Sequence, residues 1–169
     1  MENTDTALFT IGESLLSGAC EVSLDDKGRF AVPARFRSLL KAHCNGELTV
    51  TRSLSDRCLW IYPKPRWECV VRQLGCLPTI TDPLCRAVQR TVLGNAVSVK
   101  TDTQYRLLVS LELRQQVFIE RKAWLLGGSD KFELWADEQL QKQRLQDEKL
   151  LSDAVEHFDE HKALSELKL

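Results

Sequence analysis

The sequence predicts an α+β, β-rich fold made of two tandem copies of one unit, with flanking helices and a C-terminal helical tail. Three observations predict it. An Asp-x-x-x-Arg pattern at Asp25–Arg29 returns at Asp102–Arg106, and Arg37 returns as Arg114, all at an offset of 77 residues, the self-similarity of a duplicated unit. Apolar and polar residues alternate in short runs within each copy, the period of half-buried strands. Between and after these runs lie stretches of helical pattern, Arg66 to Leu74, Leu84 to Leu93 and Asp137 to Leu151.

In the first copy, Glu21–Leu24 and Arg29–Val32 alternate on either side of Asp25–Gly28, which predicts a hairpin with a tight loop. An aspartate there accepts backbone N–H bonds, and Gly28 supplies the positive φ of a bulged turn. Pro33 suits the first turn of a helix whose buried stripe is Phe36, Leu39 and Leu40. Arg37 and Lys41 share its outer face, with Arg35 near the edge. Glu47–Thr51 and Cys58–Tyr62 read as strands around a polar turn, the second ended by Pro63. Pro78 to Pro83 begins the connection, and an amphipathic helix from about Leu84 ends at Gly94. The second copy repeats the plan, with Ala123–Leu126 and Lys131–Trp135 as strands around a turn at Gly127–Asp130.

These readings divide the chain into an N-terminal extension (1–17), expected to be disordered, a first unit (19–66) and a helical connection (67–94), then a second unit (95–139) and an acidic helical tail (140–169). At 169 residues and 43% hydrophobic, the chain can build one sizeable core or two small ones. Lone β-rich units of about 50 residues are marginal, so the copies are expected to pack together or oligomerise.

No apolar run approaches the roughly 18 residues of a membrane span. Met1 to Leu16 opens on Glu2 and Asp5 without the basic start of a signal peptide, so a cytoplasmic protein is expected. The six cysteines (20, 44, 58, 69, 76, 85) lie in the first half with no Cys-x-x-Cys. Reduced thiols filling core positions are favoured over disulfides or structural zinc. The net charge of −1 hides an asymmetry. From Asp137 onward nine acids face five bases, a net −4, and the remaining fifteen acids and eighteen bases give the body +3. Such a balance permits nucleic-acid binding without demanding it.

Asp25 by itself reads first as a turn former, and Arg29 by itself as a surface salt bridge. Recurrence at the same place in two copies points further. An arginine held at a loop rim by a neighbouring carboxylate can present its fork to phosphates or guanine edges. Lys27, Arg29, Arg35, Arg37 and Lys41 form the densest basic cluster in the chain. Enzyme signatures are weak. His157-x-x-Glu160-His161 matches the spacing of inverted zinc peptidases, but catalytic zinc needs a third protein ligand and a cleft, and a solvated tail helix is the better reading. His43 and Cys44, adjacent in sequence, point apart, and neither a Gly-x-Ser-x-Gly nor a phosphate loop occurs. No enzyme, cofactor or metal is expected.

The quoted residues, together with Cys58-Leu59-x-x-Tyr62-Pro63-x-x-x-Trp67, Arg86-x-Val88-Gln89-Arg90-x-x-Leu93-Gly94-x-Ala96 and Lys131–Trp135, resemble the MraZ family over most of the chain from about Gly18. The family carries two tandem SpoVT/AbrB-type domains. The resemblance implies swapped-hairpin barrel units with flanking helices, and ring-shaped homo-oligomers whose repeated loops face direct repeats in double-stranded promoter DNA. It also implies a nucleoid-associated regulator, expected to repress the division and cell-wall gene cluster, with neither membrane nor small-molecule substrate as partner. Carried over residue by residue, Arg29 and Arg106 become the DNA contacts, Asp25 and Asp102 position them, and Lys27, Arg35 and Arg37 support them. The alternative is an oligomeric interaction protein whose acidic tail docks a protein partner.

The sequence departs from the family where Tyr105 replaces a glycine, Ser110 a proline and Glu112 the counterpart of Arg35. Tyr105 is expected to hold a strained positive φ, and Ser110 to cap its helix instead. The first turn is therefore expected to dominate DNA contact, the second to serve mainly fold and assembly.

Overall fold

The computed structural model describes residues 16–165 and Leu167. The expected disordered extension lies, up to residue 15, outside the described residues. Leu16 and Ser17 already belong to strand β1, where Leu16 is 1% exposed.

In chain order the elements are β1 (Leu16–Ser23), β2 (Arg29–Ala31), α1 (Ala34–Cys44), β3 (Glu47–Arg52), β4 (Cys58–Pro63), α2 (Lys64–Gly75) and α3 (Pro83–Val92). Then follow β5 (Val97–Lys100), β6 (Arg106–Leu108), α4 (Leu111–Gln116), β7 (Lys122–Ser129), β8 (Phe132–Ala136) and α5 (Asp137–Ala154), which gives way to a 3-10 turn at Val155–Glu160. The protein is thus α+β and strand-rich, as the alternation predicts. Six strands form one antiparallel sheet in the order β1-β7-β8-β4-β3-β5, and β2 pairs with β6 in a separate ribbon.

Exchanging each strand for its counterpart in the other copy leaves that sheet order unchanged when read backwards. The copies are interlocked about a pseudo-twofold relation. β1 of the first lies on β7 of the second, β5 of the second lies on β3 of the first, and β4 meets β8 at the centre. This corrects the expected hairpin at 21–32. The turn itself closes, with the Asp25 N–H donating to the Arg29 carbonyl at 2.8 Å and the Gly28 N–H to the Asp25 carbonyl at 2.9 Å. Its two arms, however, separate to partners in the other copy. A two-stranded hairpin alone is marginal in water, whereas the exchange sets Phe30 opposite Leu107, at 2% and 1% exposure, inside a shared core.

That core is one cluster drawn from both copies, with Phe30, Phe36, Leu48, Val50 and Ile61 beside Leu107, Val109, Leu125, Phe132 and Leu134. α1 contributes Phe36 and Leu40, with Leu39 half-buried, and Phe36 meets Phe132 edge-on at 4.9 Å. A smaller cluster of Cys58, Trp135 and Leu140 seats the start of α5, and the Trp124 indole donates to Asp137 at 2.7 Å. The cysteines are all free, but only Cys44 and Cys58 fill the core as expected, and Cys76 is exposed. The second turn also shifts. Gly127 and Gly128 extend β7 rather than turning, because a Cβ at Gly127 would lie 2.4 Å from the Ser17 nitrogen of β1. Glycine there admits the neighbouring backbone.

Candidate functional site

The two Asp-x-x-x-Arg turns are the same construction. Asp25 Oδ1 accepts the backbone N–H of Lys27 at 3.0 Å and of Arg29 at 2.9 Å, and Oδ2 accepts the Arg29 Nε–H at 2.8 Å. Asp102 Oδ1 accepts the N–H of Gln104 and of Arg106, both at 2.9 Å, and Oδ2 accepts the Arg106 Nε–H at 2.7 Å. Each carboxylate therefore orders its loop and clamps its arginine with one set of bonds. Hydrogen bonds to the charged form hold both carboxyls below the ordinary aspartate value, the amide of Arg29 or Arg106 being the largest cause. Each pair stays about one-third exposed, so the Nη groups of the clamped fork can meet a ligand.

The ribbon brings the two arginines together. β2 and β6 pair with Arg29 opposite Leu108 and Ala31 opposite Arg106, while Phe30 and Leu107 turn inward. Arg29, Ala31, Arg106 and Leu108 thus share the outer face. The arginines are diagonal neighbours, roughly 7–8 Å apart at Cα, about two base-pair steps at 3.4 Å each.

The other expected residues are placed differently from one another. Lys27 is exposed in the first turn. Arg35 is exposed but settled, its guanidinium 4.6 Å from the Phe36 ring centroid and 2.8 Å from where a Cβ on Gly18 would lie. Arg37 is half-buried, donating from Nε to the Val32 carbonyl at 2.8 Å with its guanidinium over the Tyr105 ring. Tyr105 holds φ 56° and Gly28 φ 85°. Ser110 caps α4, its Oγ accepting the Leu113 N–H at 3.3 Å.

Arg121 went unassigned in the sequence. Its carbonyl accepts the Leu24 N–H at 2.8 Å at the base of the first turn. Its guanidinium lies 3.8 Å from Asp26, with both side chains largely exposed. In the second turn the same backbone position is filled by Gly46, whose carbonyl accepts the Thr101 N–H. The 77-residue offset conceals this match, because α4 is six residues long where α1 has eleven, and beyond the helices the offset falls to 75.

The histidine pair does not share a helical face. α5 ends at Ala154, and His157 lies in a 3-10 turn at φ −122°, with Nδ1 3.5 Å from Glu160. Among the described residues, Asp56, Cys58 and Glu133 bring ligand atoms within 4.8 Å of one another. Burial and the Glu133 charge push the Cys58 thiol pKa well up, so this group stands as a protonated thiol beside two carboxylates.

A sequence model of the family described as "MraZ protein, putative antitoxin-like" matches residues 15–90 and again 92–160. The chain belongs to the MraZ family. The two matches start 77 residues apart, the offset of the repeated turns. Among curated MraZ relatives, a protein of Nitrosomonas europaea named "Transcriptional regulator MraZ" is 42% identical over 121 residues, covering 72% of this chain and 80% of that protein. Relatives of the same name in Pseudomonas putida and Halorhodospira halophila are 41% and 40% identical, over 73% and 79% of this chain and 82% and 86% of theirs. No helix among the described residues is long and apolar enough to cross a membrane.

Proposed function

We propose that this chain is a transcriptional regulator that binds promoter DNA through the outer face of the β2–β6 ribbon. The observation that carries the reading is the pair of Asp-clamped arginines, one from each copy, diagonal on one exposed face. The major groove admits a two-stranded β-ribbon, and an arginine fork matches O6 and N7 of guanine. Ala31 and Leu108 between them are suited to thymine methyls. Lys27 and Arg121 flank the first turn as phosphate contacts, where the second has Gln104 and Gly46. Arg35, on α1 beside Gly18, is a further contact whose counterpart is Glu112.

The family resemblance extends the proposal to swapped-hairpin barrel units, a cytoplasmic, nucleoid-associated ring and repression of the division and cell-wall gene cluster. α2 buries none of its residues, and Val71, Ile80 and Leu84 stand exposed on α2, α3 and their connection. This supports contact with further copies of the chain. A ring multiplies modest ribbon contacts through effective concentration on direct repeats, which suits a protein of net charge −1. The alternative, a protein partner on the tail, has support in exposed Leu145, Leu150, Leu151 and Val155 along an acidic helix.

A gel shift with the DNA upstream of this protein's own gene, at several salt concentrations, tests the proposal. Arg29→Ala abolishes the shift while light scattering shows the assembly intact, and wild-type affinity falls steeply with salt. An undiminished shift with Arg29→Ala overturns the site. A salt-insensitive interaction favours the tail reading.

A further inference from the structure

We infer that Arg37 and Arg114 are reciprocal positioning residues, each locking the Asp-x-x-x-Arg turn of the other copy rather than reaching DNA itself; their effect on binding rests on the function proposed above. Three pairs of positions carry the argument, each at the 77-residue offset: 28 and 105, 32 and 109, 37 and 114.

Val32 follows the first turn by three residues, yet its N–H donates to the carbonyl of Tyr105 in the second turn at 2.8 Å. Its own carbonyl accepts the Arg37 Nε–H at 2.8 Å. The mirror arrangement is present. The Val109 N–H donates to the Gly28 carbonyl at 2.9 Å, and the Val109 carbonyl accepts the Arg114 Nε–H at 3.1 Å. Val32 and Val109 are buried, at 2% and 0% exposure, and the arginine bonds to their carbonyls are part-buried.

The guanidinium groups then cover the residue of positive φ in the opposite turn. Arg37 Cζ lies 5.3 Å from the centroid of the Tyr105 ring, a cation–π distance. Arg114 Nε and Nη2 lie 2.7 Å from where a Cβ on Gly28 would stand. The position most prone to leave its conformation is thus capped in each turn by an arginine from the other copy. Arg29 and Arg106 also have Nε engaged, by a carboxylate of their own turn; Arg37 differs in donating to the backbone and in stacking its guanidinium over the Tyr105 ring.

Hydrogen–deuterium exchange of the free protein, without DNA, tests this directly in Arg37→Met and Arg114→Met, with Arg37→Lys as a milder variant that keeps charge but not the planar fork. Arg37→Met should speed exchange of the Tyr105 and Arg106 amides about tenfold and leave those of Gly28 and Arg29 within about twofold. Arg114→Met should do the reverse, and Arg37→Lys should follow Arg37→Met more weakly. A change confined to the variant's own turn, or none, overturns the inference.

DNA binding supplies a second reading. A lost phosphate contact lowers the salt slope by about one, whereas a lost positioning residue weakens binding at unchanged slope. Arg37→Met should add nothing to the loss caused by Arg106→Ala; a full additional loss on that background overturns the crossed assignment. If Arg29→Ala leaves binding intact, the DNA-binding proposal fails while the exchange experiment still decides the clamp.

Discussion

In the turn at Asp25 the residue before the arginine is Gly28, at φ 85°; in the turn at Asp102 it is Tyr105, at φ 56°. The carboxylate bonds agree within 0.1 Å, from 2.8 to 2.7 Å at Nε and at 2.9 Å on both arginine amides. Around them the two sites diverge. Lys27 and Arg121 flank the first, and Gln104 and Gly46 the second. The comparison teaches that the clamp on the arginine and the charge around it are separable. The same backbone-directed bonds hold the clamp in both copies, while the charge comes from exposed side chains that differ between them. The tyrosine shows that even the glycine can be replaced, because Arg37 covers the ring that replaces it.

The largest expected effect breaks both turns at once. Phe30→Ala should cost about 3–5 kcal/mol and Leu107→Ala about 2–5 kcal/mol, read by chemical denaturation. Since the two residues face each other across the ribbon, either change should disorder both turns equally. Damage confined to the mutated copy would show that the copies fold separately.

Gly28→Ala should be costly, about 1–3 kcal/mol, because its Cβ meets both the Val109 carbonyl and Arg114 at 2.7 Å with φ at 85°. Tyr105→Gly should shift the denaturation midpoint far less, since it relieves strain while losing the Arg37 stack. Equal costs would remove the distinction between the turns. Ser110→Ala should lose about 0.5–2 kcal/mol by uncapping α4, a loss with no counterpart at Pro33, where no side chain caps α1.

Smaller still is the charge repair. Glu112→Arg should restore to the second copy, on α4, the counterpart of Arg35 and steepen the salt dependence of DNA binding by about one unit of slope, without changing thermal stability. An unchanged slope would place the second turn away from the phosphates. The smallest effect is expected from acid. Asp25 and Asp102 are held below the ordinary 3.8, so their contribution is complete above that value and is lost only as pH falls through the lower folded values. Each carboxyl should titrate below 3.8 by NMR, and a midpoint above it in either turn would show that its clamp is not formed.

Much of this was legible in the chain itself. The duplication, the alternation around Cys58–Tyr62 and the cap at Ser110 are local signals, set by spacing and turn chemistry within a few residues. Asp25, Arg29, Asp102 and Arg106 were found the same way, because a repeated polar pattern in a turn needs no partner from elsewhere. What tertiary structure decided is where the arms of those turns go. Alternation states that a strand has a buried face, but not which strand covers it, and β1 and β2 take partners from the second copy, β7 and β6. That exchange set the two arginines on one ribbon, brought Arg121 and Gly46 beneath opposite turns, and turned Arg37 from an expected DNA contact to the proposed clamp on Tyr105. Contacts between residues more than 50 positions apart leave no local trace in the sequence, so only the folded chain could reveal them.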